Sequence, residues 1–201
     1  GMIGSAIIRK LKKKGYLNLI YRTRKQLDLL NTKETYKFLL KYKPKFIFIA
    51  AAKVGGILHN SNNSADFIFE NLSIQNNLIH GAYNARIKNL IFLGSSCIYP
   101  KNCKQPMNEN DMLTGKLEPT NEAYAIAKIA GIKMCESYNK QYNTNYKCLM
   151  PTNTFGPNDN YDPLNSHFIP ALIRKLHIIK ASKTKKKLVI WGNGKSKREI
   201  I

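Results

Sequence analysis

A tyrosine and a lysine four residues apart, Tyr124 and Lys128, are the side chains in this sequence best spaced for acid–base chemistry. On a helix, positions i and i+4 lie on one face, one turn apart. A phenol titrates near pH ~10, and an ammonium group beside it favours the phenolate and lowers the pKa of the phenol. The spacing therefore predicts a pair that moves a proton to or from a carbonyl or hydroxyl group.

An apolar run that ends in hydroxyl side chains precedes this pair. Residues 90–93 are apolar and are followed by Gly94, Ser95, Ser96 and Cys97. Such a run predicts a buried strand, and ligands of open α/β sheets bind beyond the carboxyl ends of strands. We therefore expect these residues to lie where a substrate binds. A strand ending in two serines, followed by a helix with Tyr-x-x-x-Lys, resembles the Ser-Tyr-Lys site of the extended short-chain dehydrogenase/reductases.

Apolar runs alternate with helical patterns along the chain. The patterns predict strands at 17–21, 46–52, 90–94, 146–150 and 188–191, and helices from residue 1 onward, at 65–85 and at 124–142. This alternation indicates an α/β fold with a doubly wound parallel sheet of the Rossmann type. We assign residues 1–157 to a cofactor-binding domain. Residues 158–201 are assigned to the start of a smaller substrate domain, which returns a strand to the sheet near 188–191.

Two glycines at the start of the chain indicate a dinucleotide. Gly1 and Gly4 match the second half of the Gly-x-x-Gly-x-x-Gly fingerprint. We therefore expect the first glycine of the fingerprint, at the end of a short apolar strand, to lie before Gly1 in the complete reading frame. Beyond the predicted strand at 17–21 stands Arg24, with no acidic neighbour. Because an acidic residue there binds the NAD ribose whereas an arginine accommodates a 2′-phosphate, this position predicts NADP.

Composition narrows the remaining classes of function. The net charge is +21, but the lysines are spread along the chain, with tight runs only at 12–14 and 183–187. We interpret them as solvated surface and expect no nucleic-acid partner. Four cysteines without a Cys-x-x-Cys pair predict neither a metal site nor disulfides, and indicate a reducing, cytoplasmic location. No run of about 18 uncharged apolar residues occurs, so we expect no membrane span.

Several longer phrases resemble the GDP-L-fucose synthase family. They are Ala50-Ala51-Ala52-Lys53-Val54-Gly55-Gly56-Ile57, Leu93-Gly94-Ser95-Ser96-Cys97-Ile98-Tyr99-Pro100, Glu118-Pro119-Thr120-Asn121-Glu122, Tyr124-Ala125-Ile126-Ala127-Lys128-Ile129-Ala130-Gly131, and Pro151-Thr152-Asn153 with Asn165-Ser166-His167. The resemblance implies an NADPH-dependent enzyme that epimerises C3 and C5 of GDP-4-keto-6-deoxy-D-mannose and reduces C4. It also implies that the chain is a fragment, with the first strand before Gly1 and the rest of the substrate domain after Ile201. We expect a homodimer.

The resemblance implies roles for individual residues. Ser95 would hydrogen-bond the C4 oxygen of the sugar, Tyr124 would protonate it, and Lys128 would hold the nicotinamide ribose. In the epimerisation, Cys97 would be the base and His167 the acid. The cofactor-binding set would be Gly1, Gly4, Arg24, Leu93, Gly94, Ser95, Ser96, Lys128, Pro151, Thr152, Asn153, Thr154 and His167, and the nucleotide-sugar would contact Lys175, Trp191 and Arg198.

Other functions stay open at this point. A nucleotide-sugar dehydratase of the same superfamily would carry an Asp-Glu pair where Ser96 and Cys97 stand. A 4-epimerase would retain NAD and would not need Cys97 and His167. From a different class, the chain could be a redox-inactive binding module or a basic nucleic-acid binder.

Overall fold

The computed structural model describes residues 1–162, 166–182, 187–189 and 199–201. Its helices are α1 (Met2–Lys13), α2 (Thr32–Tyr42), α3 (Ile57–Asn62), α4 (Ser64–Asn84), α5 (Glu122–Tyr142) and α6 (Phe168–Ala181), and its strands are β1 (Phe46–Ile49), β2 (Asn89–Leu93) and β3 (Asn145–Leu149). Short 3-10 turns cover Ser96–Ile98, Glu109–Asp111 and Pro119–Asn121. Within this described part of the chain, no helix has the length and apolar character needed to cross a membrane.

The strands form one parallel sheet in the order β1-β2-β3. Phe46 lies opposite Asn89, and Leu93 lies opposite Leu149. Because all strands run in the same direction, their carboxyl ends meet at one edge. The predicted α/β fold with a parallel sheet is confirmed, and the sheet edge predicted to bind ligands carries Ala50, Gly94 and Met150, which directly follow β1, β2 and β3.

The core lies between the sheet and the helices α2, α4 and α5. Leu90 and Phe92 of β2 are buried, whereas the alternate residues are half-buried. This alternation follows from the period of two along a strand, which places successive side chains on opposite faces. Helix α4 packs against both α2 and α5. The buried cluster is Leu39, Ile49, Leu78, Ile79, Ala82, Ala85, Ile87, Leu90, Phe92, Ile98, Ile129, Ile132, Cys135 and Tyr146.

Two of the predicted strands differ from the structure. Residues 17–21 are not a strand, and Leu17 is 83% exposed. The prediction is wrong because a parallel strand is held by hydrogen bonds to its neighbours, and no described strand lies beside this segment. The predicted strand at 46–52 ends at Ile49, and its Phe46 is exposed because β1 forms an edge of the sheet.

The predicted returning strand at 188–191 is not observed where the chain is described. Residues 188 and 189 belong to no strand, and residues 190 and 191 lie outside the described residues. A parallel bridge instead joins Asn153 to Ile200, with hydrogen bonds of 3.0 Å from Ile201 N to Asn153 O and 3.2 Å from Phe155 N to Ile201 O. The end of the chain therefore lies beside the segment that follows β3.

Tyr146 connects the core to the loop that leads into β2. Its hydroxyl donates to the carbonyl oxygen of Ile87 at 3.0 Å, and its ring is buried. Tyr146→Phe leaves that carbonyl without its partner, and we expect the free energy of unfolding to fall by about 1–2 kcal/mol. Urea denaturation measures the change. Tyr16→Phe, at an exposed ring, is the control and should stay within about 0.5 kcal/mol; equal effects at both sites would contradict the assignment.

Candidate active site

The end of β2 brings a thiol and a hydroxyl together. Ser95 has extended backbone angles and begins the 3-10 turn that carries Cys97. The Cys97 thiol donates to the Ser95 hydroxyl at 3.1 Å, and the Cys97 N–H donates to the same oxygen at 3.5 Å. Tyr124 lies close enough to Ser95 for the hydroxyl to lower the pKa of the phenol in part. The thiol, the hydroxyl and the phenol thus lie together at the end of β2.

Helix α5 supplies Tyr124 and Lys128 to this site. The helix begins at Glu122, directly after the turn Pro119–Asn121, so Tyr124 lies in its first turn. The Tyr124 ring meets the Phe67 ring edge-on at a centroid distance of 6.3 Å. Lys128 follows one turn later, with Nζ 5.7 Å from the centre of the Tyr124 ring. The predicted one-face arrangement of the pair is confirmed.

The Lys128 ammonium group is buried at the end of β2. The residue is 4% exposed, and Nζ donates to the carbonyl oxygen of Leu93 at 2.8 Å. The ammonium also lies 4.8 Å from the centre of the Phe92 ring, within cation–π range. Burial disfavours the charged form and lowers the pKa of Lys128 to about 8, although the neighbouring Cys97 acts in the opposite direction.

Burial also decides the protonation of the other two groups. It raises the pKa of Tyr124, and the hydrogen bond from Ser95 offsets only part of the rise. The prediction that Lys128 lowers the pKa of Tyr124 is therefore wrong for this structure, because desolvation outweighs the effect of neighbours. Burial likewise raises the pKa of the Cys97 thiol, while Ser95 and the charge of Lys128 lower it in part. Both acids are thus held in their protonated forms.

Behind these side chains, helix α5 packs against strand β2 through Gly131 and Phe92. A Cβ atom at Gly131 would lie 2.5 Å from Cζ of Phe92, closer than real side chains approach. The same Phe92 ring supports the Lys128 ammonium. Gln75, buried in α4, donates to the carbonyl oxygen of Ala127 at 2.7 Å and ties α5 to α4. Sequence reasoning did not identify Phe92, Gly131 or Gln75 as part of the site, because their role depends on contacts between distant segments.

The first turn of α1 lies beside the end of β1. A Cβ at Gly1 would have open space around it, and one at Gly4 would lie 3.6 Å from the Cβ of Ala50. This turn contains no acidic residue. The N–H groups of a helix N-terminus attract anions, and phosphates bind readily at such positions. The predicted place for a pyrophosphate is therefore open and free of negative side chains.

Arg24 does have an acidic neighbour, contrary to the local sequence pattern. Its guanidinium lies 3.6 Å from a carboxylate oxygen of Glu70, which belongs to α4. Glu70 also contacts Lys53 at 2.6 Å. Sequence reasoning missed Glu70 because a helix far along the chain supplies it.

The segment after β3 continues along the same sheet edge. Gly94 N donates to Leu149 O at 2.8 Å, which aligns the end of β2 with the start of residues 151–154. The predicted cofactor-binding residues of this edge, Leu93, Gly94, Ser95, Ser96, Pro151, Thr152, Asn153 and Thr154, are thus adjacent. Their predicted contacts with a cofactor stay predictions.

The predicted site also includes an acid, His167, and three contacts with the nucleotide-sugar. His167 is exposed at the N-cap position of α6, and its side chain does not cap the helix. Among the described residues, the hydrogen bonds that join Ser95 and Cys97 do not include His167. Lys175 is exposed on α6. Trp191 and Arg198 lie outside the described residues, so the acid partner of Cys97 and the nucleotide contacts stay predictions.

A search of the residues that the structure describes finds no cluster of three or more histidine, cysteine, aspartate or glutamate side chains that could hold a metal ion.

Comparison with known proteins shows what the chain is similar to. The model of the NAD dependent epimerase/dehydratase family matches residues 1–201. GDP-L-fucose synthase of Escherichia coli (strain K12) is 51% identical over 201 residues, which are the whole of this chain and 62% of that protein. The chain thus spans about three fifths of the length of the curated relatives it matches.

Two solved structures share the architecture. A GDP-L-fucose synthetase from Naegleria fowleri bound to NADP superposes with a TM-score of 0.90 at 28% identity, covering 100% of this chain and 66% of that one. A GDP-mannoheptose C4 reductase from Campylobacter jejuni with NADP bound gives a TM-score of 0.82 at 43% identity, covering 90% of this chain and 53% of that one.

We predict that Gly131→Ala destabilises the fold. An alanine in a helix interior normally gains about 1 kcal/mol over glycine, but here the new methyl group overlaps the Phe92 ring. Overpacking of this kind costs about 1–3 kcal/mol, so the net change in unfolding free energy should be negative. Phe92→Leu makes room, and the double variant should be less destabilised than the sum of the single changes. Strict additivity in urea denaturation would show that the two residues do not compete for space.

The burial of Lys128 predicts a pH dependence of stability. The folded chain releases this proton near pH 8, whereas the ordinary pKa is 10.5. Between these values the unfolded state binds more protons than the folded state. This group therefore makes the free energy of unfolding rise with pH, by at most about 1.4 kcal/mol per pH unit. Lys128→Met removes the effect. The free energy of unfolding of the parent minus that of the variant, measured by denaturation from pH 8 to 10.5, should therefore increase with pH. A value that stays constant over this range would contradict the buried cation.

Proposed function

Because the chain belongs to the NAD dependent epimerase/dehydratase family, we propose that the protein carrying it is an NADPH-dependent epimerase-reductase of a GDP-sugar. The proposed reaction converts GDP-4-keto-6-deoxy-D-mannose to GDP-L-fucose. The observation that carries the proposal is the grouping of Cys97, Ser95 and Tyr124 beside the buried Lys128. In the proposed reaction, Tyr124 would be the acid for C4 and Cys97 the base for its neighbouring carbons. The 51% identity to the E. coli GDP-L-fucose synthase supports this choice of substrate.

The residues present fit NADP. Gly1 and Gly4 open the first turn of α1 to a pyrophosphate, with no acidic side chain in that turn. The exposed Arg24 would contact the 2′-phosphate, and Lys128 the nicotinamide ribose. Leu93, Gly94, Ser95, Ser96, His167 and residues 151–154 would line the nicotinamide side. When bound, NADPH supplies the hydride for the reduction of C4.

In the proposed reduction, Tyr124 donates a proton to the C4 oxygen. The pKa of the phenol is raised by burial, so Tyr124 carries the proton to be donated at neutral pH. Ser95, which lies beside the phenol and lowers its pKa in part, would contact the same oxygen. Lys128, with a pKa of about 8, is mainly charged at neutral pH. Its ammonium stabilises negative charge that develops on the phenol or on the sugar oxygen, as donors in an oxyanion hole do.

In the proposed epimerisation, the C4 ketone makes the protons on C3 and C5 acidic. Cys97 would remove each proton as a thiolate, and His167 would return one to the opposite face. The thiol is held protonated by burial, while the charge of Lys128 favours the thiolate. Ser95 and Tyr124 would stabilise the enolate oxygen. Lys175, Trp191 and Arg198 would hold the nucleotide part of the substrate.

The proposal extends to the organisation of the protein. Residues 1–157 would bind the cofactor and residues 158–201 would begin the substrate domain. A cytoplasmic homodimer is consistent with the free thiols of all four cysteines and with exposed apolar side chains on α4 and α5, such as Phe69 (66%) and Ile126 (43%).

A GDP-sugar C4 reductase without epimerase activity is the second candidate. The similarity to the C. jejuni GDP-mannoheptose C4 reductase favours it, as does the raised pKa of Cys97, which reduces the fraction of thiolate available to act as a base. The two functions share Tyr124 and Lys128 and differ in whether Cys97 removes protons from carbon. Hydrogen exchange at C3 and C5 therefore separates them.

We expect Cys97→Ser to slow exchange of the C3 and C5 hydrogens in heavy water by more than about tenfold, because a serine hydroxyl has a much higher pKa than a thiol and supplies far less of the anion that removes a proton. Reduction of the unepimerised ketone should continue. Tyr124→Phe should stop reduction and weaken exchange, since it removes the donor to the C4 oxygen. Mass spectrometry and product analysis measure both steps.

Cys103→Ser is the control, because Cys103 hydrogen-bonds Asp111 and has no proposed role in the reaction. Its exchange rate should match that of the parent. Exchange by Cys97→Ser at the parental rate would exclude Cys97 as the base. No exchange by the parent at all, with reduction intact, would favour the C4 reductase.

A further inference from the structure

Four charged side chains meet beside the end of β1. Lys53 follows the strand, Asp66 and Glu70 lie on α4, and Arg24 comes from the segment before α2. Glu70 is the shared member, since it contacts both cations. In a chain with 33 basic and 12 acidic residues, this group has two positive and two negative charges. The side chains around the predicted 2′-phosphate site at Arg24 therefore have no net charge.

The two contacts of Glu70 are not alike. Its contact with the Lys53 ammonium is 2.6 Å long, a charge-assisted hydrogen bond between largely buried side chains, 21% and 17% exposed. The Arg24 guanidinium lies 3.6 Å away, and its side chain is 72% exposed. That distance is too long for a hydrogen bond. Glu70 therefore attracts Arg24 by charge and does not fix its geometry.

The position of Lys53 does not depend on Glu70 alone. Asn71, buried in α4, accepts from Lys53 N at 2.9 Å and donates to Lys53 O at 3.0 Å. Asp66 contacts the ammonium at 3.3 Å. Neutralising Glu70 would thus leave the loop after β1 attached to α4, and the principal change would be electrostatic.

We propose that Glu70 sets the cofactor preference by competing with the 2′-phosphate of NADPH for Arg24, so that it limits the preference over NADH. This inference rests on the proposed use of NADPH at Arg24. A phosphate that approaches the guanidinium also approaches the Glu70 carboxylate, and the two like charges repel. NADH carries no 2′-phosphate, so Glu70 leaves its binding unchanged. Glu70 is a specificity-determining residue and takes no part in the chemical steps.

The test compares NADPH and NADH binding to the protein that carries this chain, by titration calorimetry and by KM. Glu70→Gln keeps the shape of the side chain and removes its charge. We expect NADPH to bind about three- to tenfold more tightly, as a unit charge a few ångströms from a phosphate requires. NADH affinity and kcat should be unchanged, and the gain should shrink at high salt.

Three matched variants isolate the cause. Asp66→Asn removes the same charge from the same cluster. Among the described residues Asp66 pairs with Lys53 and not with Arg24, so NADPH affinity should change less than twofold. Glu70→Asp keeps the charge and should retain the parental preference. In an Arg24→Ala background, Glu70→Gln should give no gain, because the competition needs Arg24.

The outcomes separate this inference from the proposed function. If the parent binds neither NADPH nor NADH, the proposed function fails. If the parent prefers NADPH but Glu70→Gln binds both cofactors as the parent does, or weakens both equally, the inference is overturned and the function stands. Tighter binding of NADPH alone, lost without Arg24, supports it.

Discussion

The structure depends on one buried cation. Lys128 projects from α5 against the end of β2, where its ammonium has the Leu93 carbonyl as hydrogen-bond acceptor and the Phe92 ring as a cation–π partner. Removing a charge from water is costly unless such partners compensate it. The partners exist only if α5 lies close to the strand, and a glycine at position 131 permits that approach. The burial of the ammonium and the docking of the helix therefore require each other.

The same desolvation fixes the resting state of the chemical groups. Tyr124 and Cys97 are buried beside the ammonium, and both keep their protons because burial has a larger effect on their pKa values than the hydrogen bonds and charges around them. Lys128 responds in the opposite sense, since for a base the charged form is the protonated one. The site thus holds two neutral acids and one cation in a hydrogen-bonded arrangement suited to an oxygen that gains negative charge.

The proposed phosphate-binding end of the cofactor site is formed by the first turn of α1 and by Arg24. The first turn of α1 presents N–H groups without acidic side chains. Arg24, by contrast, faces Glu70, and Glu70 is held by Lys53. Helix α4 connects the two ends, because it supplies Glu70 and Asn71 to the β1 loop and Gln75 to α5. One helix therefore positions both the proposed phosphate contact and helix α5, which carries Tyr124 and Lys128.

Local sequence patterns were enough to identify the elements that carry the chemistry. The strand before Ser95 and the helix with Tyr124 and Lys128 could be predicted because strand and helix periodicity are properties of neighbouring residues. The segment at 17–21 could not, since a parallel strand exists only through its partners. The sequence by itself thus determined the fold class, the Ser95–Cys97 strand end and the facing Tyr124–Lys128 pair. Only the tertiary structure decided that Tyr124 and Cys97 keep their protons and that Arg24 faces Glu70, because desolvation and ion pairing depend on which distant residues surround a group.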